Sequence, residues 1–203
     1  MRHHSIKAPT LAVSSEKFQR SRARQELRIV GGAWRSRRLR MASRPDLRPT
    51  PDRVRETLFN WLGQTLTGEM CLDLFAGSGA LGFEAASRGA GRVVMVESDS
   101  AAVEMLERAK AELGAEQVEI RRADAIEFLA RGDGCFDIVF VDPPFREGLW
   151  ERTLERLPSR LVDGALVYLE SPRALEPGAG WTELRRKRAG QVSYQLWQWS
   201  KQQ

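Results

Sequence analysis

Residues 70–85 read MCLDLFAGSGALGFEA, a short apolar run followed by a glycine-rich turn and the start of a helical pattern. Glycines at positions 77 and 79 allow a sharp turn and let a ligand approach backbone N–H groups at the start of the helix. An acid, Asp73, precedes the pattern AGSGALG, which differs from the G-x-G-x-x-G turn of dinucleotide-binding proteins. The stretch predicts a strand, a ligand-binding turn and a helix within an α/β sheet.

Downstream of this turn, short apolar runs alternate with helical patterns. The predicted strands are MCLDLF, RVVMVES, QVEIRR, FDIVFV and ALVYLES, and the predicted helices lie in ALGFEAASRG, SAAVEMLERAKAELG, DAIEFLAR and LWERTLERL. Such alternation predicts parallel strands with right-handed crossovers, and therefore an α/β, doubly wound, Rossmann-like sheet. The tail WTELRRKRAGQVSYQLWQWS predicts an antiparallel hairpin around Ala189-Gly190, which completes a seven-stranded, mostly parallel sheet.

The front of the chain differs from the rest in charge. Residues 1–55 carry 15 Lys+Arg and 4 Asp+Glu, whereas residues 56–203 carry 17 and 23. The net charge of +5 is therefore the sum of a basic front (+11) and an acidic body (−6). We divide the chain into a flexible basic arm (1–27), a small basic β-hairpin extension (28–50) and an α/β domain (51–203). The hairpin is expected to turn at Gly31-Gly32. Asp52 is a candidate N-cap for the first helix of the α/β domain. The basic front predicts a polyanionic partner, although residues 1–27 also fit an inert disordered tail.

Composition excludes several classes of protein. No window approaches the roughly 18 consecutive apolar residues of a membrane span, and the N-terminus lacks the apolar core of a secretory signal, so we expect a cytoplasmic protein without membrane contact. Cys71 and Cys135 lie in strand-like contexts, and His3 and His4 are adjacent at the terminus. This spacing predicts neither a metal site nor a disulfide.

Carboxylates follow the first three predicted strands. Asp73 is placed to reach the ammonium of an amino-acid moiety, and it would repel a pyrophosphate. Glu97 ends the second strand, 24 residues after Asp73, where a carboxylate accepts the hydroxyls of a ribose. Asp124 follows the third strand and precedes Ala125. Its carboxylate could accept a hydrogen bond from an adenine amine, and it could equally be the N-cap of a helix.

The fourth strand ends in an acid and a rigid turn, FVDPPF. Two prolines fix φ and have no N–H, so Pro143 and Pro144 offer only carbonyl acceptors beside the Asp142 carboxylate. Acceptors suit an exocyclic base amine, which would be oriented toward an incoming methyl group, and Phe145 would stack on the base at about 1–3 kcal/mol. By itself the motif also fits a strand-ending turn with a packed phenylalanine.

These motifs, in this order, resemble the class I S-adenosylmethionine-dependent amino-methyltransferases. Together with RIVGGAWRSRRL, LRPTPDRVRETLFNWL and AGQVSYQL, they resemble the RsmD family over about residues 26–199. The resemblance implies methylation of the N2 amine of a guanine in 16S ribosomal RNA, on assembled or partly assembled small-subunit particles whose ribosomal protein surfaces would be partners. Nothing in the sequence demands more than a monomer. The first 25 or so residues extend beyond the usual family start.

The resemblance also implies residue roles. The catalytic residues would be Asp142, Pro143, Pro144 and Phe145. S-adenosylmethionine would contact Asp73, Phe75, Ala76, Gly77, Ser78, Gly79, Glu97, Ser98, Asp124, Ala125 and Thr50. The RNA would contact Arg35, Arg37, Arg38, Arg40, Arg48 and Arg53.

Three other readings of the residues stay open. DPPF suits any exocyclic amine, so the chemistry also fits adenine-N6 or cytosine-N4 of DNA, although 203 residues leave little room for a separate DNA-recognition domain. A nucleotide-binding oxidoreductase would require a turn that accepts phosphates. A non-catalytic RNA-binding protein would have no use for a carboxylate on a rigid acceptor turn.

Overall fold

The computed structural model describes residues 26–40, 50–132, 134–144 and 149–201. The strands are β1 (Glu26–Arg28), β2 (Arg38–Arg40), β3 (Met70–Asp73), β4 (Arg92–Glu97), β5 (Val118–Arg122), β6 (Phe136–Val141), β7 (Leu161–Ser171), β8 (Trp181–Ala189) and β9 (Val192–Trp199). The α-helices are α1 (Asp52–Leu62), α2 (Ala80–Ser87), α3 (Ser100–Leu113), α4 (Ala125–Arg131) and α5 (Leu149–Arg156), and a short 3₁₀ helix spans Leu157–Arg160.

A seven-stranded mixed sheet forms the centre of the molecule, in the order β5-β4-β3-β6-β7-β9-β8. The first five of these strands are parallel, and β9 pairs antiparallel with both β7 and β8. The predicted doubly wound sheet with an antiparallel C-terminal hairpin is therefore confirmed. A separate two-stranded sheet, β1–β2, confirms the predicted N-terminal hairpin, although β1 begins at Glu26, within the segment expected to be a flexible arm.

Two hydrophobic clusters cover the two faces of the sheet. On one face, α1, α2 and α3 pack on alternate residues of the central strands, such as Cys71 and Phe140. On the other face, α4 and the segment after α5 pack on residues such as Leu72 and Val139. This alternation is expected for parallel strands buried on both sides. No helix within the described ranges is long and apolar enough to cross a lipid bilayer.

Local signals explain where the helices begin and end. The side chain of Asp99 accepts a hydrogen bond from the Ala102 N–H at 2.8 Å and caps α3, which ends at Leu113 and is followed by the C-cap residue Gly114 with φ of 64°. The expectation for Asp52 was wrong, because Pro51 occupies the N-cap position and Asp52 is the first residue of α1. Its carboxylate instead binds Arg28 at 2.6 Å and Arg55 at 2.5 Å.

The N-terminal hairpin belongs to the same hydrophobic cluster as the sheet, through Leu27, Ile29 and Leu39. Its turn lies against the last residue of α2, because Ser87 accepts from the Ala33 N–H at 2.7 Å and donates its hydroxyl to the Gly31 carbonyl at 2.6 Å. Helix α2 starts at the carboxyl end of β3, so its last residue lies at the opposite end of the sheet. The hairpin turn is therefore distant from the carboxyl ends of the strands.

Candidate active site

Four carboxylates form a row across the carboxyl ends of adjacent strands. Asp73 is paired with Met95 of β4 and with Phe140 of β6, and Val141 is paired with Leu169 of β7. Alternate residues of a strand share a face, so Glu97, two residues after Met95, and Asp142, two residues after Phe140, lie on the same face as Asp73. The row, in sheet order, is Glu97, Asp73, Asp142 and Glu170.

The glycine-rich turn lies beside the first two members of this row. Gly77 and Gly79 have φ of 51° and 78°, in the left-handed region that favours glycine. A Cβ on Gly79 would lie 2.7 Å from side-chain atoms of Leu106 and Phe83, so this position has no space for a larger residue. The turn is fixed to the sheet by the Ala76 N–H, which donates to the Val96 carbonyl at 2.9 Å.

Asp73 is buried, with 3% of its surface exposed. One carboxylate oxygen accepts a hydrogen bond from the Gly82 N–H at 2.9 Å and so binds the first turn of α2. Burial raises the pKa of Asp73 to about 7, against the smaller opposing effect of that hydrogen bond. A cationic ligand group beside Asp73 would favour the ionised carboxylate.

Glu97 and Asp124 both hold backbone groups. Glu97 accepts from the Gly77 N–H at 2.9 Å and from the Asp99 N–H at 2.8 Å, one with each oxygen, so it orders the glycine turn. Asp124 accepts from the N–H groups of Ile126 and Glu127 and caps α4, which confirms the N-cap role. Contacts of these two carboxylates with ribose and adenine stay predictions.

The other predicted cofactor residues surround the same end of the sheet, with one exception. Phe75 and Ser78 are half-buried in the glycine turn, Ser98 is exposed next to Glu97, and Ala125 is the buried first residue of α4. Thr50 instead lies at β7, where its hydroxyl donates to Glu170 at 3.1 Å. The structure therefore brings Thr50 to the side of the site occupied by Asp142, away from the glycine turn.

Asp142 occupies the centre of the row, directly after β6. Pro143 is buried and Pro144 is exposed, while Phe145 lies outside the described residues. Burial raises the pKa of Asp142 well above its usual value, and the nearby carboxylates of Glu170 and Asp73 raise it further. Within the described ranges, no hydrogen bond or ion pair reaches this side chain. Its oxygens are acceptors in position for a ligand.

Sequence reasoning missed Glu170, together with the groups that hold it. The Glu170 carboxylate accepts from the Tyr168 hydroxyl at 2.8 Å as well as from Thr50, and Trp150 donates its indole N–H to the Glu170 backbone carbonyl at 2.9 Å. The segment VYLES ends a buried strand in an acid, as the strands before Asp73, Glu97 and Asp142 do. That pattern could have identified Glu170 as a residue of the site.

The predicted RNA-binding arginines do not form one surface. Arg35 is exposed in the hairpin turn, Arg37 donates to the Glu112 carbonyl in the last turn of α3 at 2.9 Å, and Arg38 pairs with Glu26 at 3.3 Å. Two more are exposed: Arg40 ends β2, and Arg53 lies in the first turn of α1, close to Thr50. Arg48 lies outside the described residues, and RNA contact by any of the six stays a prediction.

No group of three or more His, Cys, Asp or Glu among the described residues is arranged to hold a metal ion. The described part of the site consists of a glycine turn, a row of carboxylates and a proline corner. On a doubly wound sheet with an antiparallel final strand, these features define a class I methyltransferase.

Comparison with known proteins gives the family. The family profile named Conserved hypothetical protein 95 matches residues 27–198. Ribosomal RNA small subunit methyltransferase D of Escherichia coli (strain K12) is 47% identical over 180 residues, which cover 85% of this chain and 90% of that protein. Its namesake from Haemophilus influenzae is 41% identical over 191 residues, covering 90% and 99% of the two chains. The chain belongs to this family, the RsmD family of class I methyltransferases.

Solved structures agree with this assignment. The Escherichia coli protein yhhF superposes with a TM-score of 0.81 at 44% identity, covering 88% of this chain and all of that one. The Thermus thermophilus 16S rRNA N2 G1207 methyltransferase RsmC, solved with AdoMet and guanosine, superposes with a TM-score of 0.67 at 24% identity, covering 88% of this chain and 50% of that one. At that identity the second likeness shows the fold alone.

Proposed function

We propose that this protein transfers a methyl group from S-adenosylmethionine to the exocyclic N2 amine of a guanine in 16S ribosomal RNA. The observation that carries this proposal is the position of Asp142, a half-buried carboxylate without a described hydrogen-bond partner, on a proline corner that follows the strand next to β3 and its glycine turn. The family membership supports the same reaction, because the relatives are named as methyltransferases of small-subunit ribosomal RNA.

The residues of the glycine turn fit the cofactor. The positive φ of Gly77 and Gly79 forms the sharp turn that would cradle the cofactor, and the Asp73 carboxylate would favour the ammonium of its methionine part. Glu97, at the end of β4, would contact the ribose, and Asp124, after β5, would contact the adenine. S-adenosylmethionine, when bound, supplies the methyl group as an electrophile on its sulfonium.

The proline corner fits the target amine. An exocyclic amine conjugated with its ring is a weak nucleophile whose two hydrogens need acceptors. The Asp142 carboxylate and the Pro143 carbonyl would accept one hydrogen each and turn the nitrogen lone pair toward the methyl group, and Phe145 would stack on the base. Rate enhancement would then come from orientation and electrostatics, without a covalent intermediate.

The substrate would be the small ribosomal subunit or its precursors, with ribosomal proteins as neighbours, in the cytoplasm. A methyl-transfer assay tests the substrate class. We expect tritiated methyl groups from S-adenosylmethionine in the 16S RNA of particles that lack the mark. Label on duplex DNA and none on the particles would support the DNA-methyltransferase alternative and reject this proposal.

The Asp142→Ala variant tests the mechanism. We expect transfer to fall by a factor of about 100 or more because the amine loses its charged acceptor, whereas cofactor affinity, measured by calorimetry, stays within about twofold. Asp142→Asn keeps an acceptor oxygen without the charge and should retain more activity than the alanine variant. Asp163→Ala, an exposed acid at the amino end of β7, is the control. Wild-type turnover in Asp142→Ala would assign Asp142 a purely structural role.

A further inference from the structure

The C-terminal hairpin turns at the same end of the sheet as the candidate active site. In β9, Tyr194 is paired with Glu170 of β7 on one side and with Lys187 of β8 on the other. One position further along, Ser193 is likewise paired with Ser171 and with Arg188. The last residues of β8 therefore lie level with the end of β7, where Glu170 faces Asp142.

Strand spacing sets the distance between this hairpin tip and the target base. Neighbouring strands lie about 4.8 Å apart, so two spacings separate Lys187 from Glu170 and three separate it from Asp142, which is about 14 Å. A lysine or arginine side chain extends several ångströms from its backbone. Cations at the tip can thus contact the phosphates that flank a base held at Asp142.

The tip is strongly basic. The sequence RRKRA at residues 185–189 contains four cations and no acid. Arg186 pairs with Glu183 at 2.9 Å and with Glu176 at 3.2 Å. Because side chains alternate along a strand, Arg186 and Arg188 lie on the face of the sheet away from α1, whereas Lys187 lies on the α1 face with its partner Tyr194. The other three, Arg185, Lys187 and Arg188, are exposed and form no salt bridge with a described residue.

Their described contacts leave these three charges unneutralised. Arg185 and Arg188 donate to backbone carbonyls of their own hairpin, and the Lys187 ammonium lies 6.0 Å from the centre of the Trp61 ring. Lysines on an edge strand also prevent edge-to-edge association, which would explain basic residues at any height along β8. That general role does not explain why the cluster lies at the end of β8 nearest the site.

The N-terminal hairpin turn does not offer an equivalent surface. Arg35 and Arg37 lie beside the last turns of α2 and α3, at the opposite end of the sheet, and Arg37 is bonded to the Glu112 carbonyl. Exposed cations toward the carboxyl ends of the strands include instead those at the tip of β8–β9, Arg173 directly after β7 and Arg53 in the first turn of α1.

We propose that the tip of the β8–β9 hairpin, through Arg185, Lys187 and Arg188, binds the RNA phosphates that flank the target guanine. The inference rests on the proposed function for its substrate and adds a surface to it. Phosphate contacts of this kind fix the register of the RNA and release counterions, so they weaken as salt rises. They would place the guanine at Asp142 without touching the reacting atoms.

The full chain with Lys187→Ala and Arg188→Ala tests the surface. We expect about tenfold weaker binding to small-subunit particles lacking the mark at physiological salt, and a plot of log affinity against log salt less steep by about 1.4. KM for the particles should rise by a similar factor, whereas kcat and the affinity for S-adenosylmethionine should change by less than about twofold.

A second variant provides the matched control. Arg131→Ala with Lys201→Ala removes two exposed cations at the amino end of the strands, and it should leave particle affinity and salt slope at wild-type values. Equal losses in both variants would mean a general charge effect and would overturn the proposal, as would wild-type binding in Lys187→Ala/Arg188→Ala. Failure of the wild-type protein to methylate particles would count against the proposed function alone, because particle binding is measured separately from turnover.

Discussion

Three carboxylates around the proposed target amine, the buried Asp73 and Glu170 and the half-buried Asp142, lie beside one another without a described cationic partner. The pKa values of Asp73, Asp142 and Glu170 are all raised, in each case mainly by burial. Tyr168 and Thr50 oppose the effect at Glu170 by donating hydrogen bonds to it. A base amine needs Asp142 as an ionised acceptor, so proton occupancy at this cluster should govern the rate.

The Glu170→Gln variant tests this coupling through the pH profile. In the wild-type protein, transfer should increase as pH rises through the elevated pKa of Asp142 and then level off. Removing the negative charge of Glu170 takes away one cause of the elevation, so the rising limb should move to lower pH. The measurement is the single-turnover rate between about pH 6 and about pH 9.

A matched control separates this effect from a general change of charge. Glu155→Gln removes an exposed carboxylate on α5 that pairs with Arg156, and its profile should overlay that of the wild-type protein. A profile for Glu170→Gln that stays in place, or moves to higher pH, would show that Glu170 does not influence the ionisation of Asp142.

At the scale of elements, the N-terminal hairpin is held to α2 by buried polar groups. Glu84 of α2 is fully buried and binds Arg55 at 3.4 Å and Arg88 at 2.9 Å. It also accepts from the Val30 N–H at 2.9 Å, and the Arg88 guanidinium lies 4.6 Å from the centre of the Phe59 ring. Such a network is costly to break, because a lost partner leaves a buried charge unpaired. The hairpin is therefore an integral part of the core.

Gly32→Ala tests the attachment of this hairpin. The residue has φ of 73°, and a Cβ would lie 1.9 Å from the Ser87 carbonyl oxygen, a backbone atom that cannot rotate away. We expect the free energy of unfolding, measured in urea, to fall by about 3 kcal/mol. Gly190→Ala is the control, because Gly190 has φ of 59° and open space around it, so only about 1 kcal/mol of strain is expected. Equal costs for the two variants would show that the turn is not tightly packed against α2.

At the scale of the whole molecule, the two edges of the sheet carry basic side chains. Strand β5 exposes Arg121 and Arg122 on one edge, and β8 exposes its cations on the other. Arg121 is partly balanced by Glu119, which also binds Arg92. Basic side chains on an exposed edge oppose pairing with the edge of a second copy.

We therefore expect a monomer in solution. Light scattering coupled to size-exclusion chromatography should give a mass near 22.9 kDa. The mass should stay constant as protein concentration rises, since like charges on both edges repel a second copy. A mass near twice this value at micromolar concentration would contradict the prediction.

Several features of this fold are local in sequence and could be predicted from it. Each strand, helix and turn is a few residues long and is indicated by apolar runs, helical patterns and glycines. An acid at the end of an apolar run, such as Asp142, can be recognised in the same way. The strands, helices and C-terminal hairpin were found in this way, and the N-cap Asp124 was one of two readings. The expectation for Asp52 failed because one carboxylate can serve either as a cap or as an ion-pair partner.

The sequence by itself determined which strands end in carboxylates and where the chain turns, because those properties depend on neighbouring residues. Only the tertiary structure decided which strands lie side by side. The insertion of β6 between β3 and β7 places Glu170 beside Asp142, and the insertion of β9 between β7 and β8 brings Lys187 level with the site. Because the N-terminal hairpin packs against the last residue of α2, Arg35 lies at the end of the sheet opposite the candidate active site. These contacts join residues distant in sequence, and they are selected by burial of the whole core.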